Sequence, residues 1–239
     1  MKTNFKEWQS GLKDGIPIAL GYMAVSFTFG IIAKQSGLNP FEAVFMSITN
    51  FTSAGQFAGL TLIAASATFL EIALTQLIIN SRYFLMSAAL SQKIEQNTSL
   101  LHRLIMAAGI SDEVFGLSMS VKGKLNPYYT YGIISMAMPG WALGTLLGVI
   151  SGNILPERMI SALSIALYGM LLAVIIPPAK GNKILTALIF ISMVASLLFA
   201  TLPFLNTISS GVKIILLTII IAGIAAILFP VKEEIPHEG

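Results

Sequence analysis

Apolar runs of nearly membrane-spanning length recur along the whole chain, and they constrain the fold more than any other feature. A helix needs about 20 apolar residues to cross the hydrocarbon core of a bilayer. Runs near this length cover residues 16–33, 43–67, 69–90, 104–120, 128–150, 159–176, 184–205 and 212–229. The sequence therefore predicts an all-α, polytopic integral membrane protein with about 7–8 transmembrane or re-entrant helices.

The composition leaves little material for anything outside the bilayer. Of the 239 residues, 55% are hydrophobic and 10% are charged, whereas soluble domains carry about a quarter charged residues. We expect a single transmembrane domain over residues 1–239, with a short polar cytoplasmic arm at 1–13 and a short polar tail at 231–239. Cysteine is absent and only two histidines occur, so we expect no disulfide, no metal site and no cofactor.

The distribution of Lys and Arg predicts the orientation. An eight-span arrangement leaves Arg82 inside a span and divides the other cations unequally between the two faces. One face holds Lys2, Lys6, Lys13, Lys122, Lys124, Lys180, Lys183 and Lys232, and the other holds Lys34, Lys93, Arg103, Arg158 and Lys213. The positive-inside rule then places the N-terminus in the cytoplasm. We expect the chain to lie in the cytoplasmic membrane of a bacterial cell. If residues 104–120 are re-entrant, the C-terminus changes sides.

The second apolar run is interrupted by small and polar residues at 48–57. Transporters often bind substrate where a helix unwinds at membrane depth, because the freed backbone groups can contact a ligand. This pattern makes Ser53, Gly55 and Gln56 candidate substrate-binding residues. The alternative is close helix packing through small residues, although Asn50 and Gln56 are larger than such packing favours.

Ionisable residues inside the third and fourth runs are the strongest functional signal. Arg82 follows Asn80 in the third run, and Asp112 and Glu113 are adjacent in the fourth. Charges at membrane depth are costly and usually face a bundle interior or a water-filled cavity. We expect Asn80 and Arg82 to bind substrate and one of the acids to pair with Arg82 or to carry a coupling proton. The alternatives are an Arg82 that snorkels to the headgroups, and a Ser111 that caps a helix whose first turn holds both acids.

Glycines recur every four residues in the fifth run, at Gly140, Gly144, Gly148 and Gly152. Such GxxxG steps let two helix backbones approach closely. We therefore expect this face to pack against one neighbouring helix and to have no chemical role.

Several segments together resemble the AzlC family of branched-chain amino-acid permeases. In order they are GLKDGIPIALGYMAVSFTFG, NFTSAGQFAGL, INSRYFLMSAAL, SDEVFGLS and PGWALGTLLGVISGNILP. The likeness as a whole runs from Gly11 to about Pro178 and is weaker in the last two spans. The family pattern usually has His where this chain has Tyr83. The resemblance implies the large subunit of an exporter of branched-chain amino acids that works with a small hydrophobic AzlD-type subunit.

Taken together, these features predict a secondary transporter subunit rather than an enzyme. The sequence lacks a GxxxxGK[ST] phosphate-binding loop, so we do not expect this chain to use ATP directly. The substrate side chain is expected in an apolar pocket around Tyr22, Phe27 and Phe29. A channel-like or regulatory membrane subunit is the first alternative. An intramembrane enzyme is less favoured, because no Cys and no paired His are present to form a nucleophile–base set.

Overall fold

The computed structural model describes residues 2–152, 172, 176, 179–206 and 208–229, and within these residues the chain is helical, with no strand. The helices are α1 (Lys2–Gln35), α2 (Pro40–Thr49), α3 (Ala54–Ala64), α4 (Phe69–Ile79), α5 (Arg82–Lys93), α6 (Leu100–Ala108), α7 (Asp112–Ser120), α8 (Pro127–Ser151), α9 (Lys183–Thr201), α10 (Pro203–Asn206) and α11 (Ser210–Leu228). Among the described helices, four are long and apolar enough to cross a membrane, namely α1, α8, α9 and α11. The all-α membrane class is confirmed. The predicted run 159–176, apart from residues 172 and 176, and the tail 231–239 lie outside the described residues.

The chain forms two compact units. The larger unit comprises residues 1–66 and 79–171, and the smaller unit comprises residues 67–78 and 172–239. All helices from α1 to α3 and from α5 to α8 belong to the larger unit. In the smaller unit, α4 carries Glu71, whose carboxylate accepts a hydrogen bond from the Ser209 hydroxyl just before α11.

Two long helices, α1 and α8, form the centre of the larger unit and run parallel to each other. Gly11 lies against Tyr129 near the start of both helices, and Gly30 lies against Gly148 near their ends. The close contact follows the predicted glycine face, because Gly140 meets the backbone of Ala19 and Gly152 lies beside Lys34. A methyl group at most of these glycines would overlap backbone atoms of the other helix, so only glycine allows this approach. We call the end where α1 and α8 begin the amino end, and the other the carboxyl end.

Helices α2 and α3 form a hairpin that enters from the carboxyl end and turns back halfway, and we call it the first hairpin. The Asn39 side chain accepts a hydrogen bond from the Glu42 amide and so starts α2 just after α1 has ended. At the turn, Phe51 contacts Tyr22 of α1, whereas Phe57 contacts Phe29, seven residues nearer the carboxyl end of α1. Helix α3 therefore runs back towards the carboxyl end.

The first hairpin differs from the single span predicted over residues 43–67. Gln56 of α3 donates a hydrogen bond to Ser47 of α2 over 3.3 Å, which requires the two helices to lie side by side. Hydropathy cannot distinguish this arrangement from a span, because both halves of the hairpin are apolar.

Helices α6 and α7 form a second hairpin, which enters from the opposite end. His102 and Gly109 of α6 contact Tyr131 and Ile134 of α8, so α6 runs parallel to α8. The Ser118 hydroxyl of α7 lies 3.1 Å from that of Thr130 at the start of α8, so α7 returns to the amino end. The run 104–120 is thus re-entrant, which was one of its predicted alternatives.

Helix α5 also leads from the middle of the larger unit to the amino end. The Lys93 ammonium group donates to the Met119 carbonyl over 2.7 Å, and the Leu125 amide donates to the Lys93 carbonyl over 2.9 Å. These bonds tie the last turn of α5 to the end of α7 and to the loop before α8. Helices α5 and α7 therefore both start in the interior and end together.

Candidate functional site

The turns of the two hairpins meet halfway along α1 and α8 around a small cavity. The side chains and backbone that line it come from α1, α5, α8 and both turns: Tyr22, Phe51, Thr52, Ser53, Tyr83, Ser111, Asp112, Glu113 and Trp141. The space open to the centre of a water molecule is ≈ 10 Å³, which is about the room for one water. This structure is therefore closed around the site.

The second hairpin places its two acids at the start of α7. Ser111 has an extended backbone, and its hydroxyl accepts a hydrogen bond from the Val114 amide over 3.2 Å. Ser111 is thus a helix N-cap, and Asp112 and Glu113 occupy the first turn, where the helix dipole favours negative charge. Successive helical residues point about 100° apart, and these two carboxylates accordingly have different partners.

Asp112 pairs with Arg82, the first residue of α5. The Arg82 Nη1 atom lies 3.0 Å from the Asp112 Oδ2 atom. The guanidinium group also lies 5.1 Å from the centre of the Tyr83 ring, within the range of a cation–π contact. The predicted contact of Arg82 with an intramembrane acid is therefore present, and it uses Asp112 rather than Glu113.

Glu113 is held by a phenol instead of a cation. Tyr22 of α1 donates a hydrogen bond to the Glu113 carboxylate, and its oxygen lies 2.7 Å from the Ser111 hydroxyl oxygen. Within residues 2–152, Glu113 forms no ion pair. Since Arg82 balances Asp112, the formal charge of the cluster is that of Glu113, and a cationic group can be bound there.

The turn of the first hairpin is strained and incompletely bonded. Ser53 has a φ of 48° and a ψ of −91°, which side-chain-bearing residues seldom adopt. Its hydroxyl is buried, and among the described residues it has no hydrogen-bond partner. Strain of this kind persists where surrounding structure enforces it, and it is concentrated at ligand sites.

Three aromatic rings close the cavity from the side of α1 and α8. Tyr22 lies edge-on to Phe51 and Trp141, with ring centres 5.6 and 5.2 Å apart, respectively. Trp141 is 1% exposed, and its indole N–H has no acceptor among the residues that the structure describes. An unpaired buried donor costs about 1–3 kcal/mol, so this N–H is a group to which an acceptor in the cavity can bind.

The other residues predicted to bind substrate lie near the cavity or behind it. Gly55 is buried in the first turn of α3, and Asn80 lies in the break between α4 and α5. Gln56 is fully buried, but its amide contacts Ser47, whose hydroxyl lies 2.7 Å from that of Thr145. This polar cluster joins the first hairpin to α8 on the carboxyl side of the cavity.

Sequence reasoning missed several residues that line the site. The missed residues are Phe51, Thr52, Tyr83 and Trp141. Phe51 and Thr52 lie within the polar interruption at 48–57 and Tyr83 adjoins Arg82, so these signals could have identified them. Trp141 gave no such signal, because a single aromatic residue in an apolar span is usually a packing residue. Of the predicted apolar pocket, Tyr22 reaches the cavity, whereas Phe29 packs against Phe57.

Comparison with known proteins shows which family this chain resembles. Residues 17–155 match the model of the family described as AzlC protein. The chain is 32% identical to an uncharacterized membrane protein of Archaeoglobus fulgidus over 75% of its own length and 80% of that protein. It is 30% identical to the inner membrane protein YgaZ of Escherichia coli over 61% of each chain, and 26% identical to an uncharacterized membrane protein of Helicobacter pylori over 64% of this chain and 68% of that protein.

No solved structure matches the chain. The family match covers more than half of the sequence and includes both hairpins, α5, all of α8 and the second half of α1. The chain is thus a membrane protein of the AzlC family.

Proposed function

We propose that this protein is a secondary transporter subunit that exports leucine, isoleucine, valine or similar small hydrophobic amino acids across the cytoplasmic membrane. The observation that carries the proposal is the meeting of two oppositely directed hairpin turns at a charged cluster halfway along α1 and α8. Irregular backbone at membrane depth is tolerated only inside protein or beside a cavity, and transporters place their substrate sites at such breaks. The family resemblance supports the choice of substrate.

In this proposal, the amino acid binds between the two turns. The polar head group contacts the first hairpin through Ser53 and the backbone near Gly55, while Gln56 supports the turn from behind. Arg82 has an Nε–H group without a partner in the described structure, so it can contact a carboxylate while its Nη1 atom holds Asp112. Asn80 lies two residues from Arg82 in the break before α5, where it can contact the same group.

The acids would receive the positive charge that is transported or coupled. Glu113 has no cationic partner in the described structure, so it is the better placed of the two to meet the substrate ammonium group or a coupling proton. Asp112 then fixes Arg82 and reaches the substrate only through it.

The hairpins also sharpen the proposed orientation. Because both hairpins turn back, α5 and α6 meet at the amino end, and Lys93 and Arg103 lie there with the loop that carries Lys124. The eight-span arrangement had put Lys93 and Arg103 on the other face. In the hairpin arrangement, the large unit gathers Lys6, Lys13, Lys93, Arg103, Lys122 and Lys124 at the amino end, whereas Lys34 lies at the carboxyl end. The positive-inside rule then supports a cytoplasmic N-terminus.

A small hydrophobic AzlD-type subunit is the proposed partner. Helices α9 and α11 are strongly apolar, and their side chains are largely unburied within the described chain. Apolar faces of this kind are typical of contact with lipid or with another membrane protein. The family resemblance favours a small membrane subunit for part of this surface. A transport role needs no catalytic residue or cofactor in this chain, and we assign none.

Efflux from cells preloaded with leucine- or isoleucine-containing dipeptides tests the function. The chain alone, the chain with its small partner, and the variants Asp112→Asn, Glu113→Gln and Arg82→Gln would be compared at matched expression. We expect efflux that needs the partner, is lost in Glu113→Gln and is lost in Arg82→Gln. No efflux from any well-expressed combination would refute the amino-acid proposal and favour a channel-like or regulatory subunit.

A further inference from the structure

The cavity contains hydrogen-bond donors that the structure leaves unused. The indole N–H of Trp141 and the hydroxyl of Ser53 both belong to lining residues, and neither has a partner within the described chain. An indole N–H can only donate. The natural occupant therefore carries an acceptor at this side of the cavity.

Another residue of the lining has the complementary character. Glu113 lines the same cavity, and the only hydrogen-bond donor to its carboxylate in the described residues is Tyr22. The neighbouring Asp112 is paired with Arg82. A small ligand thus meets both a carboxylate without a cationic partner and unpaired donors among the lining residues.

We propose that Trp141 is a specificity-determining residue that binds the carboxylate of a small α-amino acid, together with Ser53 and the Nε–H group of Arg82, while the ammonium group lies against Glu113. This inference rests on the proposed function, since it assigns the two charged ends of the substrate to particular residues. Trp141 is the member that sequence reasoning did not select. The rings of Tyr22, Phe51 and Trp141 are mutually edge-on beside these groups.

The arrangement predicts that both charged ends of the ligand are required. An amine without a carboxylate leaves Trp141 and Ser53 unpaired, and an acid without an ammonium group faces Glu113. A site built to bind a polar group rejects analogues that lack it, because its own groups are then left without partners.

The chain offers a direct spectroscopic test, because Trp8 and Trp141 are its two tryptophans. In a Trp8→Phe protein, purified with a tryptophan-free form of its small partner, the emission comes from Trp141 alone and reports on the cavity. Leucine would be titrated against 3-methylbutylamine, which lacks the carboxylate, and 4-methylpentanoate, which lacks the ammonium group. We expect a saturable change with leucine and at least about tenfold weaker binding of each analogue.

Transport kinetics in inverted membrane vesicles provide the second measurement. Trp141→Phe keeps an aromatic ring beside Tyr22 and Phe51 but removes the N–H donor, and we expect it to raise the KM for leucine about 10- to 100-fold. Trp8→Phe is the matched control with unchanged KM. Trp141→Phe with a normal KM, or an amine that binds as tightly as leucine, would overturn the assignment.

The outcomes separate this inference from the proposed function. Leucine export with a silent Trp141 would refute the inference alone. A saturable Trp141 response without export would keep the site and refute the transporter assignment. Neither export nor response would refute both.

Discussion

The two hairpins reach the same cavity with opposite chemistry. The turn of the second hairpin is bonded and charged, because Ser111 caps α7 and both acids have partners. The turn of the first hairpin is neutral and strained, and its Ser53 hydroxyl is unused among the described residues. One hairpin therefore supplies a fixed electrostatic environment, and the other supplies spare hydrogen-bonding capacity for a ligand.

The largest expected effect is on the labelling of introduced cysteines, which tests whether α2–α3 and α6–α7 are both hairpins. The chain has no cysteine, so single cysteines can be introduced without background. Asn97→Cys and Lys122→Cys flank the second hairpin, and Gln35→Cys and Ala65→Cys flank the first. A membrane-impermeant maleimide should label Asn97→Cys and Lys122→Cys only in inverted vesicles. It should label Gln35→Cys and Ala65→Cys only in intact cells.

This labelling is all-or-none, because each hairpin returns the chain to the face from which it came. In an eight-span arrangement, Asn97 and Lys122 would lie on opposite faces, and so would Gln35 and Ala65. Opposite labelling within either pair would refute that hairpin. Detergent-solubilised samples, in which all four sites should react, control for intrinsic reactivity.

The next effect concerns the ion pair that joins α5 to the second hairpin. Asp112→Asn leaves the Arg82 charge without its partner, and we expect a loss of up to about 3 kcal/mol of stability together with a lower yield of folded protein. Glu113→Gln removes a carboxylate that has no cationic partner in the described chain, so we expect near-normal stability. Thermal unfolding in detergent would measure both.

A double substitution sharpens this prediction. Combining Arg82→Gln with Asp112→Asn removes both charges, and we expect it to recover most of the stability that Asp112→Asn loses. Glu95→Gln, in an exposed loop, serves as the control for removal of a carboxylate. Equal melting temperatures for Asp112→Asn and Glu113→Gln would show that the pair with Arg82 contributes nothing to the second hairpin.

The sequence predicted the chemistry of these elements better than their path. Apolar length and composition predicted the membrane class, the polar interruption located the first turn, and the cost of buried charge predicted the contact between Arg82 and an acid. The reversal of α3 was missed because hydropathy records which residues lie in the bilayer, not the direction of the chain. Trp141 was missed because its unpaired N–H is a property of its neighbours, which come from α1 and both turns.

A smaller effect is expected when the cap of the second hairpin is removed. Ser111→Ala eliminates the acceptor for the Val114 amide and the neighbour of the Tyr22 phenol. Loss of an N-cap side chain costs about 1 kcal/mol, and we expect a corresponding drop in melting temperature. Ser111→Asn, which keeps a capping side chain, should restore part of it. An unchanged melting temperature in Ser111→Ala would contradict the role of this cap.

The smallest effect on stability is expected from the corresponding serine-to-alanine substitution in the first hairpin, and it is also the most informative. Ser53→Ala removes a hydroxyl that makes no hydrogen bond within the described structure, so stability should change by less than about 0.5 kcal/mol. Ser53→Gly relieves the positive φ, and relief of such strain can offset the extra freedom that glycine gives the unfolded chain. Both variants should nevertheless weaken leucine binding, as measured by Trp141 emission. A Ser53→Ala protein that binds leucine normally would return Ser53 to a structural role. A Ser53→Ala protein with a lower melting temperature would mean that the Ser53 side chain stabilises the first hairpin as Ser111 stabilises the second. The strained backbone of Ser53 would then not be explained by ligand binding.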